Sequence, residues 1–145
     1  MNNRFQDENL RLSDFEREVW VVCPACAKKA VATLDSERKT ARLFCDSCGC
    51  HKETTTDVLP YGTIHLAAHS WFGQPLWLQA PFRNGVFYAY NFRHLEYLER
   101  YIGATLREHK GRTHFTLLEK LPRFYHDAKN REGLLKLITR LKNRT

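Results

Sequence analysis

All five cysteines of the chain fall between Cys23 and Cys50, and their spacing constrains the fold more than any other feature of its 145 residues. Four of them form two C-x-x-C pairs, Cys23 with Cys26 and Cys45 with Cys48, separated by 18 residues. Each pair turns tightly enough to aim two sulfurs at one ion, and two pairs supply the four tetrahedral thiolates that Zn²⁺ accepts. The insert fits a hairpin. "KAVATL" and "KTARLF" are β-prone runs on either side of the turn-like "DSER", and "VWVV" ahead of the first pair reads as another strand. Gly49 follows the second pair, where a positive φ is wanted, and Ala27 holds the equivalent place after the first. A disulfide framework would need a secretory context, and the N-terminal "MNNRFQDENL" has no apolar signal region. A redox dithiol needs one pair in an α/β setting, not two at this spacing. The spacing therefore predicts one structural Zn²⁺ held by Cys23, Cys26, Cys45 and Cys48, a closed site with no open position for water or substrate. Cys50 is the odd thiol. It reads as a bystander on the strand leaving the second pair, against the alternatives that it replaces one of the four ligands or binds a second ion with His51.

Charge is spread unevenly. Residues 1–60 carry 9 Lys/Arg against 10 Asp/Glu, a net of −1, and residues 107–145 carry 11 against 4, a net of +7. Four thiolates on one Zn²⁺ add a further two negative charges to the first stretch. The basic excess thus lies away from the cysteines, which points to a polyanionic partner such as nucleic acid or else to a solvated basic surface. The run Val58–Phe82 lacks charge but contains three prolines, two glycines and two histidines, so it is not expected to span a membrane. A cytoplasmic protein is the expectation.

Eleven of the eighteen aromatics lie between Tyr61 and Tyr101. "PLWLQAPFRNGVFYAYN" predicts an aromatic hairpin with strands Leu76–Gln79 and Val86–Tyr90 around an Asn84-Gly85 turn. Arg83, Tyr88 and Tyr90 are candidates for stacking on bases, against the alternative of core packing. Asn91 is a natural N-cap for a helix from about Phe92 to Lys110, stopped by Gly111, with Leu95, Leu98, Ile102 and Leu106 in one stripe. Gly103 inside it suggests close packing against another element. Arg93, Arg100 and Arg107 recur every seven residues on another face. The C-terminal third predicts two more helices, one capped by Thr113 and ended at Pro122, the other capped by Asn130. On the last, Leu134, Ile138 and Leu141 form an apolar side while Lys136, Arg140 and Arg144 share another face. The six basic residues of these two rows are the candidate nucleic-acid-binding set; the alternative is a solvated face. His65, His69 and His94 would be needed for a hydrolytic site, but no H-E-x-x-H, paired carboxylates or nucleophile signature accompanies them, and no small-molecule substrate is evident.

"CPAC" with "CDSCG" resembles the zinc ribbon of transcription factor IIB-type proteins. "WFGQPLWLQ", "FYAYNFRHLEYLERYI" and "LPRFYHDAKNREGLLKLI" resemble a group of small bacterial zinc-ribbon-containing proteins, some labelled after the primosomal replication-restart helicase. The resemblance covers residues 20–141 and implies a zinc-binding bacterial protein with the same four cysteines as ligands. It brings no activity, and the chain has no P-loop or other helicase motif. The expectation is an α+β protein in three parts: an N-terminal arm or short helix over 1–18 that docks Leu10, Leu12 and Phe15 on the ribbon, a zinc ribbon over 19–57, and 58–145 holding the hairpin, which continues the ribbon's sheet, and basic amphipathic helices. The expected role is non-catalytic binding of nucleic acid or a nucleoprotein assembly. The alternative is a protein-interaction adaptor or inhibitor, such as a toxin-neutralising partner. A nuclease-like enzyme using the histidines would need a second metal site.

Overall fold

The computed structural model describes residues 4–8, 10–104, 106–109 and 117–144. The protein is α+β, and its described residues form four small sheets, three antiparallel and one parallel, with two helices of 12 residues each. β1 (Arg4–Asp7) leads into a single 3-10 turn at Leu12–Phe15. A four-stranded antiparallel sheet follows in sequence order: β2 (Glu18–Val22), β3 (Lys29–Asp35), β4 (Thr40–Phe44) and β5 (His51–Thr55). Alternation makes this sheet two-faced. Val19, Val21, Ala30, Ala32, Ala41 and Leu43 are buried on one side, and three of the six are alanine. Those short side chains let the backbone of a second 3-10 turn, Ala68–Trp71, settle against β2, β3 and β4. The β3–β4 connection is shaped by Asp35, whose Oδ1 accepts the N–H groups of Glu37 and Arg38 at 3.1 Å each.

β6 (Asp57–Val58) and β7 (Gly62–Thr63) form a short ribbon with Leu59 and Tyr61 at its exposed tip. β8 (Leu78–Phe82) and β9 (Gly85–Ala89) pair antiparallel across the two-residue loop Arg83-Asn84. The strands expected at Leu76–Gln79 and Val86–Tyr90 are therefore shifted, and Gly85 lies in a strand rather than in the turn. Packing accounts for that glycine: a Cβ there would come within 2.6 Å of the Phe124 ring. The left-handed turn residue is Arg83, at φ 53°. The pair is a sheet of its own and does not continue the ribbon's ladder. It meets the open edge of β2 at a corner, through a Val21–Leu76 bridge and the bonds Trp77 N–H to Trp20 O (2.9 Å) and Val22 N–H to Pro75 O (2.9 Å).

α1 (Phe92–Gly103) begins where expected. Asn91 is extended and its Oδ1 accepts the His94 N–H at 2.9 Å. Its Nδ2 donates to Phe15 O at 3.2 Å and Glu18 O at 2.7 Å, so one side chain caps the helix and ties it to the start of the ribbon. Leu95, Leu98 and Ile102 are buried as the stripe requires, and Tyr97, Tyr101 and His94 widen it. The helix ends seven residues early. Gly103 is the poorest helix former in the segment, Ala104 is extended, and β10 (Leu106–His109) pairs parallel with β1, taking over the backbone hydrogen bonds. Arg107 is thus opposite Phe5 in a strand and not on the helix with Arg93 and Arg100. No close approach explains Gly103, since a Cβ would meet only Leu135 at 3.8 Å, an ordinary contact.

The Pro122 region is a chain of single 3-10 turns, Leu118–Lys120, Arg123–Tyr125 and Ala128–Asn130, not the end of a helix. Lys110, Gly111 and Thr113 lie outside the described residues. α2 (Arg131–Lys142) follows with Leu134, Leu137, Ile138 and Leu141 buried. Asn130 precedes it but does not cap it: its Nδ2 donates back to Phe124 O at 3.2 Å. α2 packs on α1 and β8, and one hydrophobic core runs from Phe15 through the ribbon to Leu141. Phe15 docks on α1 rather than on the ribbon alone, with its ring stacked 4.7 Å from that of His94.

His94 is a core residue. Its Nδ1 accepts the Tyr90 N–H at 2.9 Å, which fixes the proton on Nε2, and burial pushes its pKa down to about 3. Between the ordinary histidine value and about 3, the unfolded chain binds a proton that the folded chain refuses. Stability should therefore fall as pH drops through that window, by up to about 1.4 kcal/mol per pH unit for one proton. His94→Asn, which keeps an acceptor near Nδ1 but cannot titrate, should flatten this slope in urea unfolding measured from pH 7 to pH 4. An unchanged slope would place the titrating group elsewhere. Asn91→Ala should cost about 2–3 kcal/mol, combining a lost cap with two buried carbonyls left unpaired. Urea denaturation at pH 7 measures it, and a loss under 0.5 kcal/mol would mean that water replaces all three bonds, on the order of a surface change.

Candidate metal centre

Both C-x-x-C turns lie at the same end of the ribbon. Cys23–Lys28 joins β2 to β3, and Cys45–Cys50 joins β4 to β5. Their backbones repeat one pattern. Cys23 N–H donates to Lys28 O (2.7 Å) and Ala27 N–H to Cys23 O (3.0 Å), while Cys45 N–H donates to Cys50 O (3.0 Å) and Gly49 N–H to Cys45 O (2.9 Å). Ala27 and Gly49 both take left-handed φ, 64° and 79°. The equivalence of Ala27 and Gly49 expected from the sequence is thus present in the backbone, and alanine bears the Cβ strain that glycine avoids.

The two turns bring four sulfurs together. The Sγ atoms of Cys23, Cys26, Cys45 and Cys48 all lie within 4.8 Å of one another. Cys23 and Cys48 are 3.6 Å apart, and Cys26 and Cys45 are 3.5 Å apart. A tetrahedron with Zn–S of about 2.3 Å has edges of about 3.8 Å, so the four residues fit such an ion with small adjustments. Cys23 and Cys45 are buried beneath the sheet end while Cys48 is exposed, so the cluster sits at the surface with its base in the core.

The electrostatics point the same way. Burial pushes the Cys23 thiol up, but the N–H groups of Cys26 and Ala25 and the neighbouring thiols of Cys48 and Cys26 outweigh it and draw it down to about 6. At Cys48 the Cys50 N–H pulls downward, yet burial and the thiols of Cys23, Cys26 and Cys45 push it up to about 12. The first proton leaves easily and the last is held, because four thiolates cannot crowd into this space without a cation between them. A divalent ion would supply that cation. Four sulfurs would fill its shell, and its chemistry here would be to lock the two turns together.

Cys50 lies outside the four-sulfur group. It holds the place in the second turn that Lys28 holds in the first, receiving the Cys45 N–H on its carbonyl, and its half-buried thiol packs against the core. His51 is turned the other way, accepting from the Arg42 guanidinium at 3.3 Å. Among the described residues the four cysteines are the one group of metal-capable side chains this close together. His65 is exposed, His69 rests against the Tyr90 ring at 5.1 Å, and His94 is buried under Phe15, so the three histidines do not converge.

The basic rows are dispersed. Arg93 is exposed and lies over the Phe15 ring at 4.9 Å. Arg100 pairs with Glu8 at 3.0 Å, and Lys136 with Glu132 at 3.3 Å. Arg140 is exposed. Arg144 lies over the Trp77 ring at 3.7 Å and donates to the Trp77 carbonyl. Of the stacking candidates, Tyr90 is buried, Tyr88 is half-buried and Arg83 is exposed. No helix among the described residues is long and apolar enough to cross a membrane. No protein-family model, curated protein or solved structure matches the chain.

The geometry predicts one zinc per chain by metal analysis of the purified protein. Cys50→Ser should keep that stoichiometry, and Cys26→Ser should lose most of it together with the folded signal. Zinc lost from Cys50→Ser would bring the fifth thiol into the shell.

Proposed function

We propose that the chain is a non-catalytic zinc-ribbon protein that binds nucleic acid or a nucleoprotein assembly through its basic surface. The observation that carries the first half is the closed four-sulfur cluster, which leaves an ion no position for substrate. Zinc is the ion because thiolates alone surround it in a tetrahedron and the two-turn spacing is that of a ribbon. Kinship with the transcription factor IIB-type ribbons and the small bacterial zinc-ribbon proteins rests on the residues that resemble them and belongs to the same proposal, as does a cytoplasmic location.

Charge supports the second half. The chain carries a formal net charge of +7, and the ribbon, with its thiolates, lies on the acidic side of that balance. The excess is therefore displayed by the remainder, where Arg93, Arg140 and Arg144 are exposed with no carboxylate partner among the described residues. Phosphates are the ligand that such fixed cations suit. A second reading, a protein partner, draws on the tip of the β6–β7 ribbon, where Leu59 and Tyr61 are 87% and 79% exposed. Protein binding would rest on these anchors and resist salt.

Zinc-loaded protein titrated into labelled single-stranded DNA, duplex DNA and RNA at several salt concentrations separates the two. The proposal predicts binding that weakens steeply with salt and is lost when Arg93, Arg140 and Arg144 are all replaced by Gln. No binding to any of the three at low salt would contradict it and direct the search to proteins.

A further inference from the structure

Most cations of the described residues that lie near a carboxylate are neutralised by it. Arg38, Arg42, Arg100, Arg123, Lys136 and Lys142 each have an acidic partner within 4.0 Å. A different group is held by aromatic rings instead. Lys29 Nζ sits 3.9 Å from the centroid of the Trp20 ring, the Arg144 guanidinium 3.7 Å from that of Trp77, and Arg93 4.9 Å from that of Phe15. Each is fixed in place, yet keeps its whole charge, because a ring quadrupole attracts a cation without cancelling it.

These pairs adjoin one another. The Trp20 ring is 5.8 Å from that of Phe92, Trp77 N–H bonds Trp20 O, and Arg93 follows Phe92 on the first turn of α1. Trp20, Phe92, Arg93 and Phe15 line one open recess of roughly 300 Å³ together with Asp14, Arg17 and Glu18. Within it Asp14 Oδ2 accepts the backbone N–H of Arg11 at 2.6 Å, Arg17 donates to Ser36 Oγ at 2.8 Å, and the two guanidinium groups match the two carboxylates in number. Lys142, already paired with Glu99, lies 5.7 Å from the Phe92 ring. The result is a ridge that crosses from the ribbon to the helices, with cations set on the half-buried rings of Trp20 and Phe92 and over the buried rings of Trp77 and Phe15.

We propose that this ridge, Lys29, Trp20, Phe92, Arg93 and Arg144, with buried Trp77 holding Arg144, is the surface that binds single-stranded nucleic acid. The inference rests on the nucleic-acid reading above and deepens it. Fixed cations alternating with aromatic edges match the alternation of phosphates and unpaired bases in a single strand, and a duplex presents no free base to the rings. The ridge includes the ribbon through Lys29, although the ribbon is acidic as a whole.

The test is fluorescence anisotropy of labelled oligothymidylate, with a duplex of the same length for comparison, from 20 to 300 mM salt. Zinc content and thermal melting check that each variant is folded. The double variant Lys29→Gln/Arg93→Gln should bind the single strand at least about ten-fold more weakly at the lowest salt and lower the salt slope by about 1.4, which is two phosphate contacts on a single strand. Lys136→Gln/Arg140→Gln should change both far less. If the wild type binds and only the second variant loses affinity, the nucleic-acid reading stands and the ridge is overturned. Equal affinity of the wild type for the duplex would overturn the single-strand assignment. No binding of the wild type to either polymer would overturn the ridge and the reading beneath it together.

Discussion

The packing of four sulfurs at one end of a small sheet is the constraint on which the rest of this protein depends. Two tight turns each need a left-handed residue and two sulfurs on one side, and neither turn alone gives an ion a full shell. Bringing them together fixes β2 against β3 and β4 against β5, and so fixes the register of the whole ribbon. The buried face of that ribbon is poor in volume, with Ala30, Ala32 and Ala41 where larger residues would bury more surface. A face of this kind gains little from hydrophobic burial, which is why a metal clamp suits it. Cys23 and Cys45 reach into the same core as Val21 and Leu43, so the clamp and the core share atoms.

From the ribbon the structure is built outward through the open edge of β2. Trp20 and Val22 receive the segment Pro75–Trp77, Tyr90 O accepts the Trp20 N–H at 2.6 Å, and Asn91 binds Phe15 O and Glu18 O while capping α1. The helices are positioned by these few polar contacts and sealed by the aromatic rings of Phe15, His94, Tyr97 and Tyr125. A neutral His94 suits that role, since a charge there would have to be desolvated beneath the Phe15 ring.

What could be read in the chain depended on how local its cause was. The cysteine spacing, the ribbon strands and the Asn91 cap are set by residues a few positions apart, and each was legible. The end of α1 was not. Leu106 continues the leucine period, but pairing of Leu106–His109 with a strand 102 residues earlier in the chain overrides it. Asn84-Gly85 carries a local turn signal, whereas the Phe124 ring that requires Gly85 is distant in sequence. The cation-bearing rings were hidden for the same reason. Trp20 and Lys29 are diagonal neighbours across β2 and β3, and Arg144 reaches Trp77 over 67 residues. Charge counting found the basic third of the chain but could not show that Arg100 and Lys136 pair with carboxylates while Arg93 and Arg144 rest on rings.

The sulfur cluster and the helical core should therefore form one cooperative unit. Far-ultraviolet circular dichroism with near-ultraviolet tyrosine and tryptophan signals, followed as bound metal is stripped by a chelator, tests this. The helical signal and the aromatic signal should fall together with the metal, although neither helix contributes a ligand. Helices and aromatic packing that persist unchanged once the zinc is gone would contradict it.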